Sequence, residues 1–278
     1  GPYETALHVA EQFLALEDIS LAHKARVTCS WVKAKRYLSP VDTMLPKIRE
    51  ARAWAVDSDD FAAEMECRRL EVQLTLDLGH NEHIPEFVDA ALQRCEERDE
   101  QAEAFPFYCA VSDYHMFRGE IAEVQRAVER AADIVTRHRL SGHIGVITHK
   151  RGRIYEDQGK LTEARLCYEQ GLTAHIQFGD MRGQSILLGC LANIHRVQGR
   201  YDEAKKHYAA ALRIHKDWGN PFSAAMVQGN MGNLLKELGE YDAALKLYHE
   251  SGEAFKQLNR VQHEAISLGN EGELLIKL

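Results

Sequence analysis

The chain has 278 residues, 45% of them hydrophobic and 27% charged, with a formal net charge of −8. That is the composition of an ordinary folded protein, and its interspersed acids and bases exclude the basic stripe that a nucleic-acid-binding module needs to displace counterions. No apolar run approaches a membrane span, no signal-peptide pattern opens the chain, and the six cysteines show no CxxC or paired spacing, so a reduced, cytoplasmic setting without zinc or disulfides is expected.

Gly1-Pro2 reads as the scar of a removed tag, so the native start is expected to lie upstream. A leading helix is predicted at about 3–16, in a leading segment 3–18. From there a grid takes over. Ser39 is followed by glycine at 79, 119, 159, 199 and 239, a spacing of forty residues, and Leu278 lies one residue short of the next grid point. A fixed period in this range marks a repeat array, here a single solenoid over 3–278. Three divergent repeats are expected over 19–140, three clear ones over 141–260, and a trailing first helix of a further repeat over 261–278.

Within each repeat the columns resolve into two helices. Five residues before the grid point stand Ala34, Leu74, Tyr114, Ile154, Ile194, Leu234 and Leu274. Seven before stand mostly small residues, including Gly152, Ala192, Gly232 and Gly272. After the grid point, Met44, Ile84, Val124, Ala164, Ala204 and Ala244 come at five, and Ile48, Val88, Val128, Tyr168, Tyr208 and Tyr248 at nine. Steps of three and four mark one apolar helix face, so each repeat reads as helix A, glycine turn, helix B and a second turn. The second turns contain Asp59-Asp60, Asp99-Glu100, Gly179-Asp180, Gly219-Asn220 and Asn259-Arg260, which cap helices or tolerate left-handed dihedrals. Pro40, Pro46, Pro85 and Pro221 sit at or near helix starts. Pro106 falls where helix A of the third repeat should be running, and predicts a late start or a kink.

The segments Gly199-Arg200-Tyr201-Asp202-Glu203-Ala204 with Tyr208 and Ala211, and Gly239-Glu240-Tyr241-Asp242-Ala243-Ala244 with Tyr248, resemble the tetratricopeptide repeat. So does Gly159-Lys160-Leu161-Thr162-Glu163-Ala164 with Tyr168. The resemblance is strong over 141–278 and in phase over 19–140, with a period of forty where the family usually has about thirty-four. The long-period variety is similar to kinesin light chains, Pins-type scaffolds, MalT-like activators and Rap-type sensors. It implies an all-α, right-handed superhelix of about six helix pairs plus flanking helices, whose concave wall of A helices binds a partner. The implied function is a non-catalytic protein- or peptide-binding module, serving as a scaffold or as the sensor region of a larger signalling protein. The alternatives are a small-molecule-sensing region of a MalT-like activator and the regulatory domain of a larger enzyme.

On helix A, residues ten, six and three before the grid point share one face. In the clear repeats this stripe carries Gly189, Gly229, Asn193, Asn233, Arg153, Arg196 and Lys236, with Asn230 adjacent. In kinesin light chains and Rap-type sensors, asparagines at similar places hold a bound peptide's backbone, and the resemblance implies that role for Asn193 and Asn233. Arg153, Arg196 and Lys236 are candidates for acidic side chains or a carboxylate. The competing reading is that the asparagines pair locally and the glycines relieve crowding between helices. In the N-terminal half, Leu76, Met116 and Phe117 with Cys109 form either core or an apolar floor for a partner helix.

No Walker A, G-x-S-x-G, HExxH or kinase signature appears, and no cofactor is expected. His80 and His83 are the nearest approach to a metal pair and lack a third ligand at ligand spacing; no metal site is expected. Asp113, Glu156 and Asp157 read as solvated pairs beside Arg153. The trailing helix carries Leu274, Leu275, Ile276 and Leu278 with no helix B to cover it, which predicts a longer parent chain or self-association through that end.

Overall fold

The grid glycines punctuate the fold because they take a backbone conformation that side chains resist. Gly79, Gly119, Gly159, Gly199 and Gly239 have φ between 71° and 76°. At the turn after Val197, Gly199 N–H donates to Arg196 O at 3.0 Å and Arg200 N–H to His195 O at 2.8 Å. This pairs the last carbonyls of one helix, and the next begins at once, Ala204 N–H donating to Arg200 O at 3.1 Å. The second turns use the same left-handed residue, supplied by Asp59, Asp99, Gly179, Gly219 and Asn259. Arg139 also adopts it, at φ 53°, a residue type that nothing in the sequence marked for the role. Asp60, Asp180 and Asn220 then cap the following helix, accepting from Ala63, Gly183 and Ser223 N–H at 3.2, 2.9 and 3.0 Å.

The computed structural model describes residues 2–79 and 81–277. Gly1, His80 and Leu278, on which the tag-scar, metal-pair and trailing-helix expectations partly rest, lie outside the described residues. Among the described residues the chain is all-α, with no strand. The helices are α1 (Pro2–Leu14), α2 (Leu21–Lys35), α3 (Met44–Asp57), α4 (Phe61–Asp77), α5 (Ile84–Glu97), α6 (Phe105–Phe117) and α7 (Ile121–Arg137). They continue with α8 (Ile144–Asp157), α9 (Leu161–Gln177), α10 (Met181–Val197), α11 (Tyr201–Asp217), α12 (Pro221–Glu237), α13 (Tyr241–Gln257) and α14 (Val261–Lys277). The leading helix stops at Leu14, earlier than predicted. Pro106 produces the late start: a 3-10 turn over Gln101–Ala104 precedes α6, which has proline in its first turn where no N–H is needed.

The chain divides into two compact units. One comprises Thr5–Arg36 and Val41–Cys167. Its core has a cluster around Trp31, Met44, Ile48, Leu70 and Leu74 and another around Ile84, Val88, Phe107, Val124 and Val128. Two buried carboxylates cross it. Glu71 accepts from Arg49 Nε and Arg52 Nη1, both at 2.8 Å, and Glu64 from Arg68 Nε at 2.9 Å and Arg94 Nη2 at 3.1 Å. Burial would raise Glu64, but Arg94 and Arg68 hold its carboxyl below the ordinary range.

The other unit comprises Gly1–Glu4, Tyr37–Pro40 and Tyr168–Leu278. Each B helix here lays a fully buried tyrosine, Tyr208 on α11 and Tyr248 on α13, against the small residue seven before the grid point of its A helix. A Cβ on Gly232 would stand 2.6 Å from a Tyr248 ring carbon, and one on Gly183 would stand 2.2 Å from His175 Nδ1. His215, forty residues after His175, is also buried. Burial, with Arg182 nearby, pushes it down to about 4.

Two predictions follow from this packing. Gly232→Ala is expected to lower stability by about 1–3 kcal/mol through overpacking, while Gly189→Ala, whose Cβ meets nothing within 4 Å, should raise it by up to about 1 kcal/mol through helix propensity. Urea unfolding of the two variants distinguishes them. For His215, the unfolded chain takes up a proton near its ordinary 6.5 and the folded chain only near 4. The unfolded state therefore binds more protons in that window, and stability falls as pH drops through it. His215→Phe, the residue type of the equivalent Phe255, should remove about 2–3 kcal/mol of that loss at pH ~4.5. Melting temperatures between pH ~7.5 and ~4.5 check it: an unchanged slope in the variant contradicts the assignment.

Candidate functional site

At about 100° per residue, Ile186, Gly189, Asn193 and Arg196 fall within roughly 80° of one another on α10. Met226, Gly229, Asn233 and Lys236 do the same on α12. The opposite side of α10 is taken by Leu187, Leu191 and Ile194, all buried, so the stripe is the solvent side. Asn230 is half-buried, almost one turn before Asn233.

The asparagines are tied to the core. Tyr208 donates its hydroxyl to Asn193 Oδ1, and Tyr248 donates to Asn233 Oδ1 at 2.7 Å. Burial pushes both phenols up to about 12, so each stays a neutral donor. One acceptor site on each Oδ1 is thereby used, and the Nδ2 group carries the side chain's two N–H donors. The expectation of local pairing is met at the oxygen, which anchors the side chain, and the Nδ2 donors are the part of the amide that this bond does not use.

Arg196 pairs through Nη1 with Glu237, and Lys236 Nζ lies 3.2 Å from Glu273 Oε2. Lys277 and Lys236 together hold Glu273 below the ordinary carboxylate range. Gly189 is not needed to relieve crowding, since a Cβ there projects into open space; at Gly229 the nearest atom would be Ser251 Oγ at 3.4 Å.

Arg153 belongs to the other unit. Its Nη1 lies 3.2 Å from Asp113 Oδ1, which also accepts from Lys150 Nζ at 2.9 Å; Lys150 in turn donates to Cys109 O at 2.9 Å. In that unit Leu76 and Met116 are half-buried against the core, while Phe117 is 78% exposed. Cys109 is pushed up to about 12, mainly by burial. Cys29, in the column ten before the grid point, is core, its Sγ 3.3 Å from Cys67 Sγ. His83 Nδ1 lies 3.5 Å from Glu86, and among the described residues no three of His, Cys, Asp and Glu gather to hold a metal. No helix among them is long and apolar enough to cross a membrane.

Three features of the stripe were not anticipated. The Tyr–Asn link joins two columns whose spacing of fifteen residues recurs, 193 to 208 and 233 to 248. The basic residue three before one grid point pairs with the acid two before the next, as Arg36 with Asp77 at 2.5 Å and Arg196 with Glu237. Finally, the stripe extends one step further, to an exposed apolar position occupied by Ile186, Met226 and Ile266.

Helix pairs with a forty-residue register, carrying a repeated solvent-facing stripe on α10 and α12, define an α-helical repeat protein. Tetratricopeptide repeat models match residues 184–257 and 149–174. Over those residues the chain carries tetratricopeptide repeats, and its fold is an all-α solenoid. Among solved structures it is similar to the Rap conjugation gene regulator of the plasmid pLS20 in complex with the Phr* peptide, with a TM-score of 0.71 at 14% identity, covering 93% of this chain and 69% of that one. It is also similar to a signal transduction ATPase with numerous domains, bearing a tetratricopeptide repeat sensor, from Pyrococcus horikoshii. There the TM-score is 0.63 at 12% identity, over 99% of this chain and 43% of that one. A Rap protein complexed with competence and sporulation factor gives 0.62 at 12% identity, over 90% and 76%. At these identities the likeness is one of fold, and the chain spans less than half of the Pyrococcus protein. No curated protein matches it in sequence.

Removing the tyrosine hydroxyls tests whether they anchor the amides. Tyr208→Phe and Tyr248→Phe are each expected to cost about 1 kcal/mol in urea unfolding, with the helical circular dichroism unchanged. No loss in either variant would mean that the asparagines are held by something else.

Proposed function

We propose that the chain is a non-catalytic binding module that holds an extended peptide segment along the stripe of α10 and α12, in the concave groove implied by the repeat family. It would act as a scaffold or as the sensory region of a larger regulatory protein in the cytoplasm. The observation that carries this reading is the anchoring of Asn193 and Asn233 by Tyr208 and Tyr248. Each fixed amide aims N–H donors from a solvent-facing stripe, and the carbonyls of an extended chain are the periodic acceptors that suit them. Asn230 adds a further amide, Gly189 and Gly229 leave space above the helix, and Arg196 and Lys236 border it. Two neighbours of this fold were solved with a Phr* peptide and with competence and sporulation factor, which supports a peptide as the class of ligand.

A second reading, a small-metabolite sensor, draws support from an open cleft of about 400 Å³ in the same unit as the asparagines. His215, Asn220, Pro221, Ala224 and Gln228 line it. The two readings separate by experiment. The chain and its Asn193→Ala/Asn233→Ala double variant are used to capture ligands from lysate, and retained proteins, peptides and metabolites are identified by mass spectrometry. Retention of a protein or peptide that drops at least tenfold in the variant supports the proposal. Equal retention by both contradicts it, and a metabolite held by both favours the cleft.

A further inference from the structure

We infer that the peptide taken by this stripe is selected for large apolar side chains rather than acidic ones, and that Ile186, Met226 and Ile266 do the selecting. This rests on the reading of Asn193 and Asn233 as the backbone-holding residues. Ile186 is 38% exposed, Met226 39% and Ile266 62%. A single exposed aliphatic residue on a surface is ordinary. Here the same helix position is aliphatic and exposed on three successive A helices, and it lies about 20° around the helix from the asparagine position.

The spacing along the helix suits a side chain. From Asn193 back to Gly189 is about 6 Å, and from Asn193 to Ile186 about 10 Å, at 1.5 Å per residue. The glycine position between them is clear: a Cβ would meet nothing within 4 Å at Gly189 or Gly269, and only Ser251 Oγ at 3.4 Å at Gly229. A leucine, methionine or phenylalanine leaving a backbone held at the asparagines crosses that floor and ends against the aliphatic row. Apolar surface on both partners is then removed from water together.

Charge argues against the acidic alternative. On the other side of the asparagines, Arg196 is paired with Glu237 and Lys236 with Glu273. An acidic side chain arriving there must displace a carboxylate already in place, whereas an apolar one disturbs no ion pair.

The test uses a library of random heptapeptides displayed on phage and selected on the immobilised chain, with the tightest peptide then measured by fluorescence anisotropy. Two variants accompany it, Asn193→Ala/Asn233→Ala and Ile186→Glu/Met226→Glu, the latter replacing surface residues, with the fold of both checked by circular dichroism. Selection on the unmodified chain is expected to enrich Leu, Ile, Met and Phe several-fold over Asp and Glu. Affinity for the tightest peptide should fall at least tenfold in Ile186→Glu/Met226→Glu, and selection on that variant should shift toward Lys and Arg. Asparagine-dependent binding that enriches Asp and Glu would overturn the inference while leaving the peptide-binding reading intact. So would unchanged affinity in the glutamate variant. Failure to select any peptide, or equal binding by the asparagine variant, would overturn both.

Discussion

A tyrosine ring pressed against a position with almost no side chain organises the C-terminal unit. Tyr208 and Tyr248 are wholly buried, opposite Ala192 and Gly232. Even one methyl at Gly232 would come within 2.6 Å of the ring. Ring and hydroxyl act differently. The ring sets how closely the two helices of a repeat approach, and losing such a group costs on the order of 3–5 kcal/mol. The hydroxyl cannot be buried without a partner, and the partner within reach is the asparagine next in sequence on helix A. Core packing thus reaches the surface through one hydrogen bond. It decides which end of each amide is spent on the fold and which is not.

In both units an arginine at the end of one A helix pairs with an acid at the end of the next A helix. Arg36 with Asp77 in one unit and Arg196 with Glu237 in the other occupy equivalent positions in the repeat. The N-terminal unit carries the device inward, where Glu64 and Glu71 are buried and each is met by two arginines. Breaking a buried pair by removing one member leaves an uncompensated charge, costing about 3–5 kcal/mol, so these positions resist change for structural reasons alone. The consequence at the asparagine stripe is different: cations that look available in the sequence are already compensated. What distinguishes the surface there is its amides and its aliphatic row.

Much of this was legible in the chain and some was not, for identifiable reasons. Helix A, glycine turn and helix B follow directly from a forty-residue grid, since from position 79 onward it is occupied by glycines, which adopt positive φ; Ser39, the first grid point, does not. Arg139 is the position that could not be read, taking φ 53° in a second turn although its residue type does not favour that conformation. The late start forced by Pro106 was readable because a missing N–H is harmless in a first turn and costly in the middle of a helix. Columns read one at a time hid the pairings between them. Asn193 and Tyr208 stand on different helices, and only packing brings a hydroxyl to an amide across fifteen residues. The arginine-to-acid spacing of forty-one was present in the letters, yet one step off the grid. Ile186, Met226 and Ile266 were overlooked because exposed aliphatics carry no chemistry that a motif search rewards; continuing the three-and-four spacing one step would have reached them.

The aliphatic row also resolves an energetic difficulty in reading the asparagines as a peptide clamp. A hydrogen bond from a side-chain amide to a peptide carbonyl replaces bonds that both groups made with water, and nets only about 1 kcal/mol. Two such bonds give roughly 2 kcal/mol, below the 4 kcal/mol or more that association costs in lost freedom. They set the register and direction of a chain without holding it. Burying about 100 Å² of apolar surface at each of two positions contributes on the order of 5 kcal/mol at about 25 cal/mol per Å², which turns a marginal balance favourable. In the proposed complex the amides supply orientation and the aliphatic side chains supply affinity. Glycine between them follows from the same division: any larger residue at 189 or 229 would stand between the held backbone and the surface its side chains need to reach.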